Sequence, residues 1–527
     1  MQFIELFAGC GGLSLGLKSV GFELTMANEL SPMAAESYAF NFLNEDLSAL
    51  SNSLNTPKKT VWLSSAYPTN KLGNRLRENP FEYPNEEDGY SDIKLDGSNL
   101  EGALVVGSII TLNKWLSDNK RALNRVRSSF GRGAVDLVSG GPPCQSFSMA
   151  GLRQKDNDKN SLPWEFAKFV ESIKPKFVLL ENVTGILRPF TGEDGSQYYA
   201  WFELAKAFSE IGYVPLCLHI NAKYAGVPQN RPRFVLLGIR SDILKSLKNT
   251  FNKSESILFN EPEIFYREAR KGKDLPISSL MYRDISKNED RLLIASSFLK
   301  PLFSTKEFVS VKSAIDDLKT GLKKGSKYSD KLEKLFSSIL SNEGLKNHEL
   351  RSNNELVKRR FRLYQILEIH STEVKKAVLE VVKGSADDIS TEIWSSLKNE
   401  KFLLLNGEFG SFTSKAEFLK FLKSHATKKQ TQKALSENFP APAALSIPDD
   451  ACHYDFNHLR TLTVREMARI QSFPDSFVFR SKVTTGGKMR RFEVPQYTQV
   501  GNAVPPLLGR ALGLSIADLI NRLPDEK

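Results

Sequence analysis

Cys144 follows Gly140-Gly141-Pro142-Pro143, and this approach comes straight off an apolar run at residues 135–139. In open α/β sheets, ligands bind outside the carboxyl ends of the strands, so a cysteine there is placed to attack. Only about a few per cent of a free thiol is thiolate at neutral pH, and a nucleophile of this kind needs a favourable electrostatic setting. A buried, inert cysteine is the plain structural alternative, but it has no use for two glycines and two prolines. Glu181-Asn182-Val183 follows a second apolar run, at residues 177–180. A cysteine and a glutamate at neighbouring strand ends suggest addition chemistry: one attacks a ring, the other handles a proton. Gln229-Asn230-Arg231-Pro232-Arg233 then enters a run at residues 234–239. Alternate arginines at a strand start point to one side. Alone they read as a solvated edge; beside a cysteine and a glutamate they read as anchors for a phosphate or a base carbonyl.

A cofactor signal sits at the start of the chain. Gly9, Gly11 and Gly12 follow the apolar run 3–7, and Glu29 ends the next run, 20 residues beyond Gly9. Glycines permit a tight turn and a close ligand, and a carboxylate at that spacing can accept from a ribose. The Gly-Cys-Gly-Gly pattern departs from the dinucleotide fingerprint, so a tight turn packed on a sheet explains it equally well. Thr463 with Glu466 forms a capping box that starts a helix, and Pro474 follows its end. Gln499-Val500-Gly501-Asn502-Ala503-Val504 is a turn feeding a last helix near residues 507–520.

The elements that must position these residues form a recognisable order. Residues 1–43 read strand, turn, helix, strand, helix, with Pro32 opening the second helix. Further strands are expected at residues 103–106, 135–139, 177–180, 215–221 and 234–239. This is a doubly wound, mostly parallel α/β sheet. Residues 44–102, rich in Asn, Ser, Pro and Gly, read as a surface insertion. From 241 to 450 the chain turns lysine-rich, with 36 Lys and Arg against 29 Asp and Glu. That excess supplies most of the overall +11 and marks an inserted domain. The expected organisation is a catalytic domain over 1–240, a second domain over 241–458, and a return to the first over 459–527.

Composition narrows the function classes. Hydrophobic residues make up 41% and charged residues 25%, ordinary for a globular chain with more than one domain. The basic surplus fits a polyanionic partner, and fits a merely soluble surface as well. Cys10, Cys144, Cys217 and Cys452 are far apart with no Cys-x-x-Cys pair, so neither a disulfide framework nor a metal site is expected. No basic-then-apolar leader and no bilayer-length apolar run is present, which points to a cytoplasmic protein without a membrane partner.

Taken in order, six blocks resemble the DNA cytosine-5 methyltransferase family of bacterial, restriction-modification type. They are Phe7-Ala8-Gly9-Cys10-Gly11-Gly12, Pro142-Pro143-Cys144-Gln145-Ser146-Phe147-Ser148, Glu181-Asn182-Val183, Gln229-Asn230-Arg231-Pro232-Arg233, Arg460 through Pro474, and Gly501-Asn502-Ala503-Val504. The resemblance covers residues 1–43, about 103–240 and about 459–520, and the basic middle lies where the family keeps its target-recognition domain.

The resemblance implies a Rossmann-like fold that binds S-adenosyl-L-methionine and methylates C5 of a cytosine flipped out of double-stranded DNA. Cys144 would add to C6, Glu181 would bind the N3/N4 edge, Arg233 would anchor the base, and Arg231 would assist near the nucleophile and phosphate. Phe7, Gly9, Gly11, Gly12, Glu29, Ile109, Pro143, Leu162, Asn502 and Ala503 match cofactor positions, and Gln145, Ser148 and Gln229 match DNA-contacting ones. Ser108 stands where the family usually has an aspartate that accepts from the adenine amino group; a hydroxyl accepts more weakly. The same resemblance implies a monomer on DNA and a cognate restriction endonuclease as a separate chain. Two other readings carry the same residues: an RNA (tRNA) cytosine-5 methyltransferase, and an inactive nucleic-acid-binding protein.

Overall fold

The computed structural model describes residues 1–143, 162–191, 197–305, 307–319, 325–340, 344–427, 432–443, 445–448 and 451–524. The chain opens with β1 (Gln2–Leu6), α1 (Gly12–Lys18), β2 (Glu23–Glu29) and α2 (Pro32–Phe42). Next come β3 (Thr60–Trp62), β4 (Ala103–Val106), α3 (Ile109–Asp118), β5 (Leu137–Gly140), α4 (Leu162–Ile173) and β6 (Phe177–Val183). They are followed by α5 (Ala200–Glu210), β7 (Tyr213–Asn221), β8 (Pro232–Arg240) and a short β9 (Arg283–Asp284). These nine strands form one sheet in the order β9-β7-β8-β6-β5-β1-β2-β4-β3. Neighbours pair parallel, except β8, which runs antiparallel to both β6 and β7. The sheet is therefore mostly parallel and doubly wound, with its switch point between β1 and β5, where such sheets bind ligands.

Alternation along the strands explains why both faces are covered. Phe3, Phe177 and Leu179 enter one apolar core with α1, while Ile4, Val178 and Leu180 enter the other with α3, α4 and α5. Each large side chain so buried contributes roughly 1.5–3 kcal/mol, and a shift of one residue would turn every one of them to the wrong face. Strand ends differ from expectation at one important place. The apolar run stops at Leu180, yet β6 continues to Val183 because β8 pairs with it as far as Arg233 opposite Val183. Glu181 thus belongs to the strand and faces the same side as Phe177 and Leu179.

Residues 44–102 are not confined to the surface. β3 is the sheet's outer strand beside β4, and Trp62 is fully buried with Tyr38, Ala39 and Leu47. Glu45 holds the strand's entry by accepting from the Lys59 and Thr60 amides at 2.7 and 2.9 Å. Val61-Trp62-Leu63 is too short an apolar run to stand out from its polar surroundings. The composition break at 241 likewise differs from the packing. Phe259, Ile294, Val311 and Phe336 share the core that holds Leu216 and Val235 of the sheet. A separate core begins later, with Leu363, Val378, Phe402 and Leu422. It is built from α6 (Glu355–Ile369), α7 (Thr372–Lys383), α8 (Lys415–Ser424) and a short hairpin through Phe402.

The chain then returns through α9 (Val464–Ile470), α10 (Gln496–Asn502) and α11 (Pro506–Asn521). Thr463 and Glu466 form the expected capping box, and the buried Glu466 is also gripped by Arg460 at 2.6 and 2.7 Å. No single helix among the described residues is long and apolar enough to cross a membrane.

Candidate active site

At the carboxyl end of β6, Arg233 Nε lies 2.6 Å from Glu181 Oε1. The pair is diagonal across β8 and β6, since Glu181 stands opposite Val235 and Arg233 opposite Val183. Both residues are 8% exposed, so the pair is largely shielded from water while an edge stays open. The neighbouring segment after β5 leans over it. Asn182 Nδ2 donates to Pro142 O at 3.0 Å, and a side chain at Gly141 would begin 3.1 Å from Glu181 Oε2. Pro143 is exposed at the end of this segment. Cys144, Gln145 and Ser148 lie outside the described residues. The three described cysteines, Cys10, Cys217 and Cys452, are buried, and burial pushes each thiol up, away from the thiolate form.

Arg231 takes a different position from the one expected of it. It is buried, and its Nη2 donates to Gly501 O at 2.8 Å and Ala503 O at 3.1 Å. It therefore bolts the strand entry to the turn before the last helix instead of presenting its charge to a phosphate. Burial and the neighbouring Arg233 push its guanidinium well below its ordinary range. Gln229 is fully buried, and its side-chain amide donates to Pro442 O at 3.0 Å. The cause is the pairing of residues 228–230 with Ala441. Asn182 and Asn221 are the residues that sequence reasoning missed. Asn182 orients the Pro142 carbonyl, and Asn221 Oδ1 accepts from the Arg231 amide at 3.0 Å. Asn182 was legible as part of Glu181-Asn182-Val183; Asn221 had no signal.

The turn after β1 builds the second half of the site. Phe7 and Gly9 both take left-handed backbone angles, with φ of 54° and 56°. The Gly9 amide donates to Glu29 Oε2 and the Ser31 amide to Glu29 Oε1, each at 2.8 Å. Burial raises the Glu29 carboxyl above its usual range, against these amides. A side chain at Gly12 would begin 2.2 Å from Val504 O and 3.3 Å from Ala503 Cβ, so only glycine lets the two turns meet. A side chain at Gly9 would meet nothing within 4 Å, which leaves the space over the turn open. Gly11 packs on Phe42 instead, on the closed side. Asn28 Nδ2 ties the end of β2 to Gly107 O at 3.0 Å, which brings Ser108 and Ile109 to the same edge. Ser108 caps α3, its Oγ accepting from the Ile110 amide at 3.2 Å. Phe7 and Leu162 rim the same apolar core. The donor set, a carboxylate beside an open left-handed glycine turn with apolar flanks, fits a nucleoside.

Beneath this turn Glu5 is buried, takes a hydrogen bond from Ser14 Oγ, and lies near Glu29. Burial first, then the charge of Glu29, pushes its carboxyl up to about 8. The folded protein thus holds a proton there that the unfolded chain releases near its ordinary value of 4.5. Stability from this group is complete below 4.5 and declines as pH rises toward about 8. Glu5→Gln is expected to flatten that decline. Thermal midpoints of both proteins across this range will check it; parallel curves would refute the buried proton.

A carboxyl-edge site of this shape on a doubly wound sheet is that of a Rossmann-like protein that binds a nucleoside. Residues 1–64 and 116–518 match the model of the C-5 cytosine-specific DNA methylase family, and the chain belongs to that family. It is a C-5 cytosine DNA methyltransferase. It is 25% identical to type II methyltransferase M.DdeI of Desulfomicrobium norvegicum, over 98% of this chain and 88% of that one. It is 26% identical to type II methyltransferase M.Bpa9945I of Bacillus paralicheniformis, over 99% of each. M.AgeI of Thalassovita gelatinovora is 28% identical over 73% of this chain and 83% of its own. The family match skips residues 65–115, which include most of the inserted stretch.

Proposed function

We propose that the chain transfers a methyl group from S-adenosyl-L-methionine to C5 of a cytosine flipped out of double-stranded DNA, through a covalent bond between Cys144 and C6. The observation that carries this reading is the shielded Glu181–Arg233 pair at 2.6 Å, beside the segment that leads to Cys144. The cofactor, when bound, supplies an electrophilic methyl group on a sulfonium. Gly9, Gly11, Gly12 and Glu29 would hold its nucleoside, with Phe7, Ser108, Ile109, Pro143, Leu162, Asn502 and Ala503 around it.

Chemistry inside a stacked duplex is out of reach, so the base must be extruded at a cost of a few kcal/mol, roughly. Arg233 and Glu181 then meet the base on its polar edge. The Cys144 thiolate forms a bond to C6 while Glu181 protonates N3, and the C5=C6 electron pair becomes available at C5. C5 takes the methyl group, and the electron pair of the broken S–CH3 bond stays on sulfur. Loss of the C5 proton to a base, departure of the thiolate from C6 and return of the N3 proton to Glu181 restore the aromatic ring and the enzyme. In this scheme Arg231 keeps the strand entry and the Gly501–Ala503 turn in register.

The same reading assigns target recognition to residues 241–458, centred on the separate core of α6, α7 and α8. It takes the working form as a cytoplasmic monomer on DNA, with a restriction endonuclease encoded as a separate chain. The direct test is incorporation of labelled methyl groups from S-adenosyl-L-methionine into duplex DNA and into tRNA. Incorporation into DNA, located by bisulfite sequencing, is expected; incorporation into tRNA alone would overturn the proposal.

A further inference from the structure

The chain between α9 and α10 carries a basic loop that the chemistry above leaves unused. Residues 482–496 hold four cations, Lys482, Lys488, Arg490 and Arg491, against the single carboxylate of Glu493. The loop is closed at its neck. The Gln496 amide donates to Lys482 O at 2.8 Å, and its side-chain Nε2 donates to Ser481 O at 3.0 Å. Glu493 is buried and takes bonds from both Lys482 and Thr485. The lone carboxylate is thereby consumed within the neck. Lys488, Arg490 and Arg491 stand exposed on one short turn, Gly487–Arg491, and none has a carboxylate partner among the described residues.

Position gives this charge a meaning. Asn347, from the middle of the chain, bridges the loop's base, donating to Phe479 O at 2.9 Å and Gln496 Oε1 at 3.1 Å. Arg351 lies over the Tyr497 ring at 5.9 Å. On the other side, α10 runs from the loop into the Gly501–Val504 turn that meets Gly12 and Arg231. The loop therefore stands where the middle segment joins the turn of the active site. A duplex that is read by one and methylated beside the other must pass between them. Three cations with no carboxylate partner among the described residues, on a turn where Arg490 Nε also donates to Thr485 O at 3.4 Å, match the regular negative charge of its backbone.

We propose that the 482–496 loop is a docking arm that grips the sugar–phosphate backbone of the substrate duplex through Lys488, Arg490 and Arg491. The proposal rests on the reading that the chain acts on DNA. It concerns position and affinity, not base choice, because phosphate contacts carry no sequence information.

The test compares K488Q/R490Q/R491Q with wild type by measuring duplex affinity over a range of salt concentrations. Each phosphate contact contributes a slope of about 0.9 in log K against log salt, so loss of three should flatten it by about 2 to 3. The two proteins should differ most at low salt and converge at high salt. R490K/R491K, which keeps the charge, should retain the wild-type slope. K120Q/R121Q/R125Q removes as many cations from a helix bonded through Arg127 to Ser172, just ahead of the amino end of β6 and so opposite the carboxyl ends that carry the site. It should also leave the slope unchanged. An unaltered slope in the loop variant, or equal flattening in both triple variants, would overturn the docking arm. Absence of methyl transfer to DNA by the wild-type protein would instead sink the functional reading, so the two failures are separable.

Discussion

Cys144→Ser is expected to lower methyl transfer to DNA by roughly 10⁴-fold or more while DNA binding persists. A serine hydroxyl is a far weaker acid than a thiol, so the fraction present as an anion near neutrality collapses. The three described cysteines, Cys10, Cys217 and Cys452, offer no substitute, since all are buried and held as thiols. Single-turnover incorporation of labelled methyl groups, with duplex binding measured on the same sample, separates chemistry from recognition. DNA containing 5-fluorocytosine adds a second reading. Fluorine at C5 cannot leave as a proton does, so wild type should remain covalently attached to such DNA and the serine variant should not. A serine protein of near wild-type rate would end the covalent mechanism.

The second large effect is expected at the carboxylate. Glu181→Gln keeps an oxygen that can accept from Arg233, so the 2.6 Å contact and the local fold should survive. What disappears is the proton that the carboxyl can deliver to N3. A general acid of this kind contributes about 10²–10⁴-fold, and kcat should fall by that factor; the amide keeps the hydrogen bond but not the counter-charge of Arg233, so the thermal midpoint should also fall, by less than when the contact is lost altogether. Arg233→Ala has a different signature. It strands a shielded carboxylate without its cation, which costs about 3–5 kcal/mol for a buried pair. The alanine variant should therefore lose both stability and activity, and Arg233→Lys should recover more of the former than of the latter. Equal midpoints for wild type and Arg233→Ala would mean that the ion pair has no structural weight.

The contrast between Arg231 and Arg233 shows where local reading stops. Both arginines belong to one five-residue motif, and their spacing places them on one side of a strand entry. Only the fold gives Arg233 a carboxylate and Arg231 two carbonyls, at Gly501 and Ala503. Those carbonyls lie 270 and 272 residues away in the chain. Gln229 teaches the same lesson, because its burial depends on Pro442 across 213 residues.

What the amino-acid sequence determined by itself was the chemistry on offer and the kind of sheet that would carry it. Glycine turns, strand alternation and a capping box act over a few residues, and each is written locally: Gly9 through Gly12, Phe3 against Ile4, Thr463 with Glu466. Tertiary structure alone decided that Val61 and Trp62 complete the sheet's edge, that β6 extends to carry Glu181, and that residues before 340 pack with the sheet. The physical reason is range. Burial and register are set by partners hundreds of residues apart, and no local pattern records which partner will arrive.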